Sequence, residues 1–487
     1  MVENEKAFPV KIGLEVHGYL DTVEKLFCMC RTESAERLEI RDSKLENDAN
    51  SRICPICTGT PGSKPMAANE EAVRKMIQIA LVFGSKINMD GLVWQRKHYD
   101  WADNPKGYQT TMSGAHAKVN ALGGKFKGIE ITEIHLEEDP AQWNPDSGRI
   151  NYNRSGLPLI EIVTEPQFSD SDQVVQWLKS LLLSLSYIKS VRKNAGIKVD
   201  VNVSTYGERV EMKNLNSLEK IRKAIDYEIA RQLEIVEKLE IRGQKLEEVL
   251  PRETRAYDEA KGITIKMRSK EGASDYRFVP CPDLAEMKIS KKMVAEIKAS
   301  MPEMPEVKLE RLLKTHNVLE SDAKILTRNL ELVDFFEALV AEGIDAKKNM
   351  AWITVELLRV LNWNKKSLED EDVDIRPSHL AELIKAVEMG GITTLKGKQI
   401  MNDFVPKSFS LKEHKGEISN IDEEAVENLC RQVIDENKHV VDDYRAGKEA
   451  SLNFLIGAVM RLSERRADFK VVTGVMKRLI GERDDGV

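Results

Sequence analysis

Four cysteines in two close pairs constrain the fold of this chain more than any other feature of its sequence. Cys28 and Cys30 are separated by one residue, and Cys54 and Cys57 follow after a polar segment of 23 residues. Two thiolates this close in sequence can bind one ion, and a second pair completes the tetrahedral coordination that structural zinc prefers. The pattern predicts a zinc knuckle, and the alternative is four unrelated buried thiols.

Length and composition predict a globular protein of several domains. The chain has 487 residues, of which 41% are hydrophobic and 31% are charged, and one core seldom grows to this size. No apolar run reaches the roughly 20 residues of a membrane span, and the N-terminal residues carry no targeting signal. We therefore expect a cytoplasmic protein without a membrane partner, in a reducing setting that favours metal over disulfides for the cysteine pairs.

Alternation of apolar and polar residues predicts strands in the first 295 or so residues. In residues 10–17 this alternation places Glu15 and His17 on one face of a strand. Residues 197–204 and 210–213 repeat the pattern around a turn, which predicts a hairpin with one buried face and one polar face. Three further strands are predicted at residues 129–135, 150–152 and 157–163, and two helices at residues 66–83 and 217–243.

From Pro302 onward helical periodicity replaces the strand pattern, over residues 305–365 and 377–390. A polar linker at about 406–420 precedes the C-terminal segment. From Arg445 to Arg483 nine Lys or Arg residues stand against four acids, which predicts a helical unit with a basic outer face. A solvated helix surface is the alternative. The net charge of −7 argues against a protein that is cationic throughout, so a nucleic acid would need a local patch.

The polar faces of the predicted strands are rich in carboxylates: Glu15, Glu137, Glu138, Asp139, Glu161, Glu165, Asp200 and Glu211, together with His17. Crowded carboxylates repel unless cations lie between them, and hard oxygen ligands favour Mg²⁺ or Mn²⁺. Basic residues are interleaved with them, as is typical where a triphosphate or an RNA end is held beside a metal: Lys97, Lys106, Lys198, Arg209 and Lys213. The alternative is a web of surface ion pairs. The chain has no Walker loop, so ATP would need an unusual site.

Ten short tracts follow one another in a distinctive order: Ile12-Gly13-Leu14-Glu15-Val16-His17; Phe27-Cys28-Met29-Cys30; Cys54-Pro55-Ile56-Cys57 with Pro61-Gly62-Ser63; Pro105-Lys106-Gly107-Tyr108-Gln109; His135-Leu136-Glu137-Glu138-Asp139; Pro158-Leu159-Ile160-Glu161-Ile162-Val163; Asp200-Val201-Asn202-Val203-Ser204; Glu211-Met212-Lys213-Asn214-Leu215-Asn216-Ser217; Met267-Arg268-Ser269-Lys270 with Asp275-Tyr276-Arg277; and Asp443-Tyr444-Arg445-Ala446-Gly447-Lys448. In this order they resemble the B subunits of the tRNA-dependent amidotransferases. The likeness covers nearly the whole chain.

The resemblance implies an ATP-dependent, tRNA-dependent ligase. Members of this family belong to complexes that convert Glu-tRNA(Gln) or Asp-tRNA(Asn) to Gln-tRNA or Asn-tRNA. ATP is expected to phosphorylate the side-chain carboxylate of the amino acid carried by the tRNA, and ammonia is expected to displace the phosphate. The ammonia is expected from a glutaminase A subunit of the amidase type, with a small C subunit joining the two. The resemblance implies no DNA partner.

The resemblance also implies roles for individual residues. The expected Mg²⁺ ligands are Glu15, His17, Glu137, Glu138 and Glu161, with Asp200 nearby in the catalytic site. Candidate contacts to ATP or substrate are Lys97, Lys106, Arg209 and Lys213. Phosphate contacts to the tRNA body are expected from the tail residues Arg445, Lys448, Arg461, Arg465, Arg466 and Lys470.

The family fold implied for this chain is α+β. A mixed, largely antiparallel cradle domain with the zinc knuckle is expected at residues 1–295, a helical domain at 296–410 and a small helical tail domain at 411–487. Two segments depart from the family pattern: Trp101-Ala102-Asp103-Asn104 stands where Tyr-Pro-Asp-Leu is usual, and Pro140-Ala141-Gln142 follows Asp139 where a small residue and then lysine are common. They leave the expected metal ligands intact but alter the segment expected to contact the substrate end, including the surroundings of Lys106.

Two other functions fit the same residues. The chain could be a non-catalytic module that binds aminoacyl-tRNA, in which the acids only maintain the fold. It could also be a metal-dependent hydrolase of phosphoesters that uses the acidic cluster. ATP consumption that depends on aminoacylated tRNA separates the expected ligase from both.

Overall fold

The computed structural model describes residues 10–32, 48–114, 116–240, 250–269, 277–413 and 421–481. The chain divides into two compact units, Met1–Glu303 and Met304–Val487. Within the described ranges, no helix is both long enough and apolar enough to cross a lipid bilayer. The division into three domains at residues 295 and 410 stays a prediction.

The first unit is mixed α+β, as the alternation of its sequence predicted. Its strands are β1 (Lys11–Tyr19), β2 (Lys86–Ile87), β3 (Gln95–His98), β4 (Tyr108–Thr111), β5 (Ala121–Leu122), β6 (Lys125–Phe126), β7 (Ile129–Glu138), β8 (Gln142–Trp143), β9 (Ile150–Asn151), β10 (Pro158–Thr164), β11 (Ile197–Ser204), β12 (Val210–Leu215), β13 (Glu253–Asp258), β14 (Ile263–Ser269) and β15 (Phe278–Pro280). Its helices are α1 (Glu70–Phe83), α2 (Ser171–Tyr187), α3 (Leu218–Glu240) and α4 (Lys291–Ser300), with a 3₁₀ turn at Lys193–Ala195.

One large sheet organises this unit. Its strand order is β14-β13-β12-β11-β1-β10-β7-β4-β3-β15; the short strands β5 and β6 also pair with β7, and β2 pairs with β5. Neighbouring strands are antiparallel except β12 and β13, which are parallel. Strands β8 and β9 form a separate hairpin. The largely antiparallel sheet expected from the sequence is therefore confirmed.

Strand β1 lies inside this sheet, between β10 and β11, and has two unlike faces. Ile12, Leu14 and Val16 are buried, while Glu15 and His17 on the other face remain partly exposed. Helix α1 packs against β7, and α3 packs against β11. These helices cover the apolar side, and the acidic side chains of the sheet gather on the opposite, accessible face, where Glu15, His17 and Glu161 stay partly exposed while Glu137, Asp200 and Glu211 are buried.

Local capping sets the ends of α1. The Asn69 side chain accepts hydrogen bonds from the amides of Glu71 and Ala72, so the helix begins later than the predicted residue 66. It ends at Phe83, and Gly84 caps it with a φ of 66°, the left-handed conformation that glycine tolerates. Helix α3 is described to Glu240, and its predicted end at Gly243 lies outside the described residues.

The second unit is helical, as predicted. Its helices are α5 (Pro305–His316), α6 (Glu320–Leu326), α7 (Leu330–Ala341), α8 (Ala346–Ala351), α9 (Leu358–Trp363), α10 (Pro377–Glu388), α11 (Thr394–Asn402), α12 (Glu423–Glu436), α13 (Lys438–Arg445), α14 (Ala450–Leu462) and α15 (Phe469–Gly481), with one π-helical turn at Trp352–Leu357 and a 3₁₀ turn at Leu411–Glu413. Helices α12 to α15 enclose a core that includes Val426, Cys430, Leu455, Val459, Val472 and Met476. Part of the predicted linker, residues 414–420, and Arg483 of the basic segment lie outside the described residues.

Candidate active site

The four cysteines of the predicted zinc knuckle converge. Their sulfur atoms lie within 4.8 Å of one another, although 23 residues separate the two pairs. A turn shapes the second pair: the Thr58 amide donates to the Cys54 carbonyl at 3.1 Å, and the Cys54 amide donates to the Cys57 sulfur at 3.2 Å. Gly59 has φ of +66°, and a Cβ at this position would lie 2.6 Å from the Pro105 carbonyl oxygen, so the turn requires glycine.

The electrostatics of this cluster favour a thiolate at Cys57, while the hydrogen bond to Cys57 and then burial raise the pKa of Cys28, and burial and the neighbouring thiols raise the pKa of Cys30. A hydrogen bond from the Cys28 thiol, together with the Cys54 amide and the charge of Lys25, lowers the pKa of Cys57 to about 5, although burial opposes the shift. Lys25 is itself buried, so little water screens its charge. The deprotonated thiol is the form that binds zinc, and the residues present therefore fit this metal.

A first acidic group lies on the accessible face of the sheet. It consists of His17, Glu137 and Glu161, whose ligand atoms lie within 4.8 Å of one another. Strand register produces it, because His17 of β1 lies opposite Glu161 of β10, and the Nε2 of His17 is 3.3 Å from Oε2 of Glu161. Burial lowers the pKa of His17, but the charges of Glu161, Glu137 and Asp200 outweigh this effect and raise it to about 9.

A buried histidine, His135, contacts this group and was not selected from the sequence as a site residue. Its Nε2 lies 3.1 Å from Oε2 of Glu161, and its Nδ1 lies 3.2 Å from Oε1 of Glu133. Burial lowers the pKa of His135, but the charge of Glu161, the nearby carboxylate of Glu133 and the hydrogen bond to Glu161 raise it to about 10. The signal that could have found it is the period of two along β7, which places Glu133, His135 and Glu137 on one face.

A second acidic group is formed by Glu15, Asp200 and Glu211, with ligand atoms again within 4.8 Å of one another. Asp200 lies opposite Glu15 in the register of β1 and β11. The Nζ of Lys213 is 2.6 Å from Oδ2 of Asp200 and 2.6 Å from Oε1 of Glu211, and Nδ2 of Asn202 donates to Glu15 at 3.0 Å. Glu211 was assigned to the polar face from the sequence but was not chosen as a metal ligand.

The carboxylates of the two groups repel one another. Burial raises the pKa of Glu15, and the charge of Glu161 adds to the shift. Burial and then Glu161 likewise raise the pKa of Glu137. Glu161 differs, because the charges of His135 and His17 outweigh its burial and hold its pKa well below the usual range. A divalent cation would relieve the repulsion at Glu15 and Glu137.

Glu138 points to a different partner from Glu137. Its carboxylate is paired with the Nζ of Lys106 and accepts a hydrogen bond from the Thr110 amide at 2.9 Å. The Nζ of Lys106 also lies 5.0 Å from the centre of the Tyr108 ring. Within the described ranges, Glu138 is in neither of the two acidic groups.

Lys97 and Arg209, two other candidate contacts to ATP or substrate, lie in different parts of the first unit. Lys97 of β3 lies close enough for its charge to act on Glu137. Arg209 is exposed in the turn between β11 and β12, two residues before Glu211. The roles of these residues stay predictions.

The selected tail cations lie on the second unit and are mostly exposed. Arg461, Arg465 and Lys470 are exposed, whereas Arg466 is half-buried. The exposed Arg445 and Lys448 have partners within the tail, since Arg445 donates to the Ile480 carbonyl at 3.2 Å and Lys448 pairs with Asp443 at 2.8 Å. The tail thus carries a basic surface, and its use in RNA binding stays a prediction.

Comparison with known proteins defines the class to which this fold and site belong. The family model described as the GatB/GatE catalytic domain matches residues 10–295, and the one described as the GatB domain matches residues 334–480. The chain belongs to the family of aspartyl/glutamyl-tRNA(Asn/Gln) amidotransferase B subunits.

Curated proteins with this name from three archaea are similar to the chain over nearly their whole lengths. The protein of Methanocaldococcus jannaschii is 39% identical and covers 97% of this chain and 98% of its own. That of Methanothermobacter thermautotrophicus is 38% identical over 97% of this chain and 100% of its own. That of Methanobrevibacter smithii is 39% identical over 96% and 99%, respectively.

Proposed function

We propose that this protein is the subunit that activates and amidates the side-chain carboxylate of Glu-tRNA(Gln), Asp-tRNA(Asn) or both. Membership of the B-subunit family supports an amidotransferase that produces Gln-tRNA or Asn-tRNA. The observation that carries the proposal is the pair of acidic groups on one sheet face, built from β1, β7, β10, β11 and β12. Such a surface suits the transfer of a phosphoryl group to a carboxylate beside bound cations.

The reaction needs two steps because a carboxylate does not accept an amine until one oxygen becomes a leaving group. First, an oxygen of the substrate carboxylate attacks the terminal phosphorus of ATP, ADP leaves and an acyl phosphate forms. Ammonia then attacks the acyl carbon, inorganic phosphate leaves, and the nitrogen loses a proton to give the amide. Both steps develop negative charge on phosphate oxygens, which positively charged groups stabilise.

Magnesium fits the residues of both acidic groups. Glu137, Glu161 and His17, the last after loss of its imidazolium proton, would hold one ion, and Glu15, Asp200 and Glu211 would hold a second. Burial is the main cause of the raised pKa values of Glu15 and Glu137, and the charge of Glu161, which a cation would neutralise, adds to both shifts. When bound, Mg²⁺ supplies charge neutralisation at the phosphates of ATP.

The chain's own cations complete the site. Lys213 neutralises part of the second acidic group through its contacts with Asp200 and Glu211. Lys97 lies close enough to Glu137 for its charge to act there, and Lys106 pairs with the neighbouring Glu138. An ammonium group at either position would bind a phosphate or the substrate end. Glu138 would position the Lys106 ammonium group through their ion pair.

Zinc would brace the cradle through Cys28, Cys30, Cys54 and Cys57. Four sulfur ligands leave no open coordination position, so this metal would contribute stability and not chemistry. The turn that contains Gly59 lies against Pro105, which precedes Lys106. Loss of the metal would therefore disturb the segment that carries Lys106.

The complex proposed for this reaction contains a glutaminase A subunit and a small C subunit. The A subunit would supply ammonia by hydrolysing glutamine. The tail would bind the body of the aminoacylated tRNA through Arg461, Arg465 and Lys470, and this binding would weaken as salt rises. A cytoplasmic location is consistent with this substrate.

Reconstitution with a glutaminase partner tests the proposal. Amide formation on mischarged tRNA(Gln) or tRNA(Asn) should require ATP, magnesium and aminoacylation of the tRNA. Release of phosphate without aminoacylated tRNA would favour a phosphoester hydrolase. Tight binding of aminoacyl-tRNA without ATP consumption would favour a non-catalytic binding module.

A further inference from the structure

Two tryptophans on the first unit are exposed and yet contact each other. Trp101 is 58% exposed and Trp143 is 36% exposed, and their ring centroids lie 6.4 Å apart with an interplanar angle of 58°. Indole rings are more often removed from water, and exposed aromatic surface tends to mark a binding site. The geometry leaves part of each ring open to a ligand.

Each tryptophan sits in a loop that is closed by its own hydrogen bonds. The Asn104 amide donates to the Trp101 carbonyl at 3.0 Å, which closes a turn before Pro105. Trp143 ends β8, and the Asn144 amide donates to the Arg149 carbonyl at 2.9 Å across the β8–β9 hairpin. A surface held in this way loses little conformational freedom when a ligand binds.

The two loops meet beside the first acidic group. The Ala141 amide donates to the Asp103 carbonyl at 2.7 Å and joins them. The loop that carries Trp101 also carries Lys106, which pairs with Glu138, the neighbour of Glu137 in β7, and β8 begins four residues after Glu138. The tryptophans therefore lie at the edge of the site that would receive the amino acid.

We propose that Trp101 and Trp143 form a stacking surface for an unpaired base near the 3′ end of the tRNA, next to the terminal aminoacyl nucleotide. The inference rests on the proposed function, which brings this single-stranded end to the acidic groups. A base offers a flat aromatic face, and stacking on tryptophan is a common way to bind single-stranded RNA.

Charge alone would not hold the RNA at this edge. The β8–β9 hairpin exposes Arg149 and Asp146, and the Trp101 loop exposes Asp100, so these loops offer the phosphates no net attraction. The aromatic faces would therefore supply most of the contact. Trp101 lies in one of the two segments where this chain departs from the family pattern, and Trp143 directly follows the other.

The test replaces each tryptophan in the reconstituted complex and measures amidation of mischarged tRNA with free ammonia. Trp101→Ala and Trp143→Ala should each raise KM for the tRNA about tenfold, with kcat changed less than twofold, because stacking of one base is worth about this factor. Trp101→Phe, which keeps an aromatic face, should retain most of the affinity. Trp363→Ala is the control, since Trp363 is 85% exposed but lies in the second unit.

A modified substrate identifies the base. Removal of one unpaired base near the 3′ end should raise KM for the wild-type complex and should have no further effect on the double alanine variant. Unchanged KM in the alanine variants would overturn the proposal. A rise in KM for ATP alone would assign the surface to the adenine of ATP, and loss of complex assembly alone would assign it to a partner subunit. Both results would overturn it.

If the proposed function fails, the wild-type complex will form no amide on any mischarged tRNA. Direct binding of tRNA to the full chain then tests the stacking surface by itself. Titration of the full chain with tRNA should then quench tryptophan fluorescence in the wild type and not in the double alanine variant. Equal quenching in both proteins would contradict stacking on Trp101 and Trp143.

Discussion

The Nε2 of His135 lies 3.1 Å from the same Oε2 atom of Glu161 that His17 approaches at 3.3 Å. One carboxylate oxygen thus joins a buried histidine to a histidine of the accessible face. Glu133 contacts the other ring nitrogen of His135 at 3.2 Å, so the ring is held from both sides. Through Glu161, the buried His135 thus orients a side chain of the first acidic group.

His135→Gln should weaken the binding of divalent cations about tenfold, because residues that orient metal ligands typically contribute this much. Titration of the magnesium-free protein with Mn²⁺, followed by electron paramagnetic resonance, measures the change. Glu130→Gln, at an exposed position of the same strand, is the matched control and should bind Mn²⁺ as the wild type does. Equal affinity of the wild type and His135→Gln for Mn²⁺ would show that His135 does not orient a metal ligand.

Glu15→Gln should abolish amide formation and leave the melting temperature unchanged or slightly higher. Burial and the charge of Glu161 raise the pKa of Glu15, so removal of its charge relieves repulsion in the folded state. The glutamine oxygen can still accept the hydrogen bond from Asn202. Amidation assays and thermal unfolding check both points, and a large fall in melting temperature would indicate a structural role.

The stability of the magnesium-free protein should fall as pH rises from about 7 to 10. His17 and His135 have pKa values raised from 6.5 to about 9 and about 10. A raised pKa means that the folded state binds protons more tightly, so this stabilisation is complete below pH 6.5 and is lost up to pH 10. Denaturant unfolding at several pH values measures it, and His135→Gln should give a shallower decline.

Cys57→Ser should release zinc and lower the melting temperature, since structural metal binding contributes directly to folding. Elemental analysis of the purified protein and thermal unfolding measure the two effects. Cys281→Ser is the control, because Cys281 is buried but lies outside the four-cysteine cluster. A metal-free Cys57→Ser protein with unchanged stability and activity would contradict the bracing role of zinc.

Reversal of charge on the tail should weaken tRNA binding without impairing turnover. Arg461→Glu and Lys470→Glu together should raise KM for aminoacyl-tRNA and reduce the salt dependence of binding by about one unit of slope for each lost phosphate contact. Lys314→Glu, at an exposed position of α5 in the same unit, should change little. A defect in kcat with unchanged KM would speak against a docking tail.

Local patterns in the sequence were sufficient for several parts of the fold. The alternation in β1 predicted that Glu15 and His17 share a face, and the spacing of the cysteines predicted their convergence. The change from period two to helical periodicity after Pro302 predicted the helical second unit. These features depend on neighbours in the chain, since the geometry of a strand or helix determines which side chains point the same way.

The tertiary structure alone decided which acids meet. Period two places Glu161, Asp200 and Glu211 on polar faces, but only strand order and register bring Glu161 opposite His17 and Asp200 opposite Glu15. A shift of one residue in register would have turned each set to the other face, and no local pattern encodes that choice. For the same reason the pairing of Glu138 with Lys106 could not be predicted from the sequence.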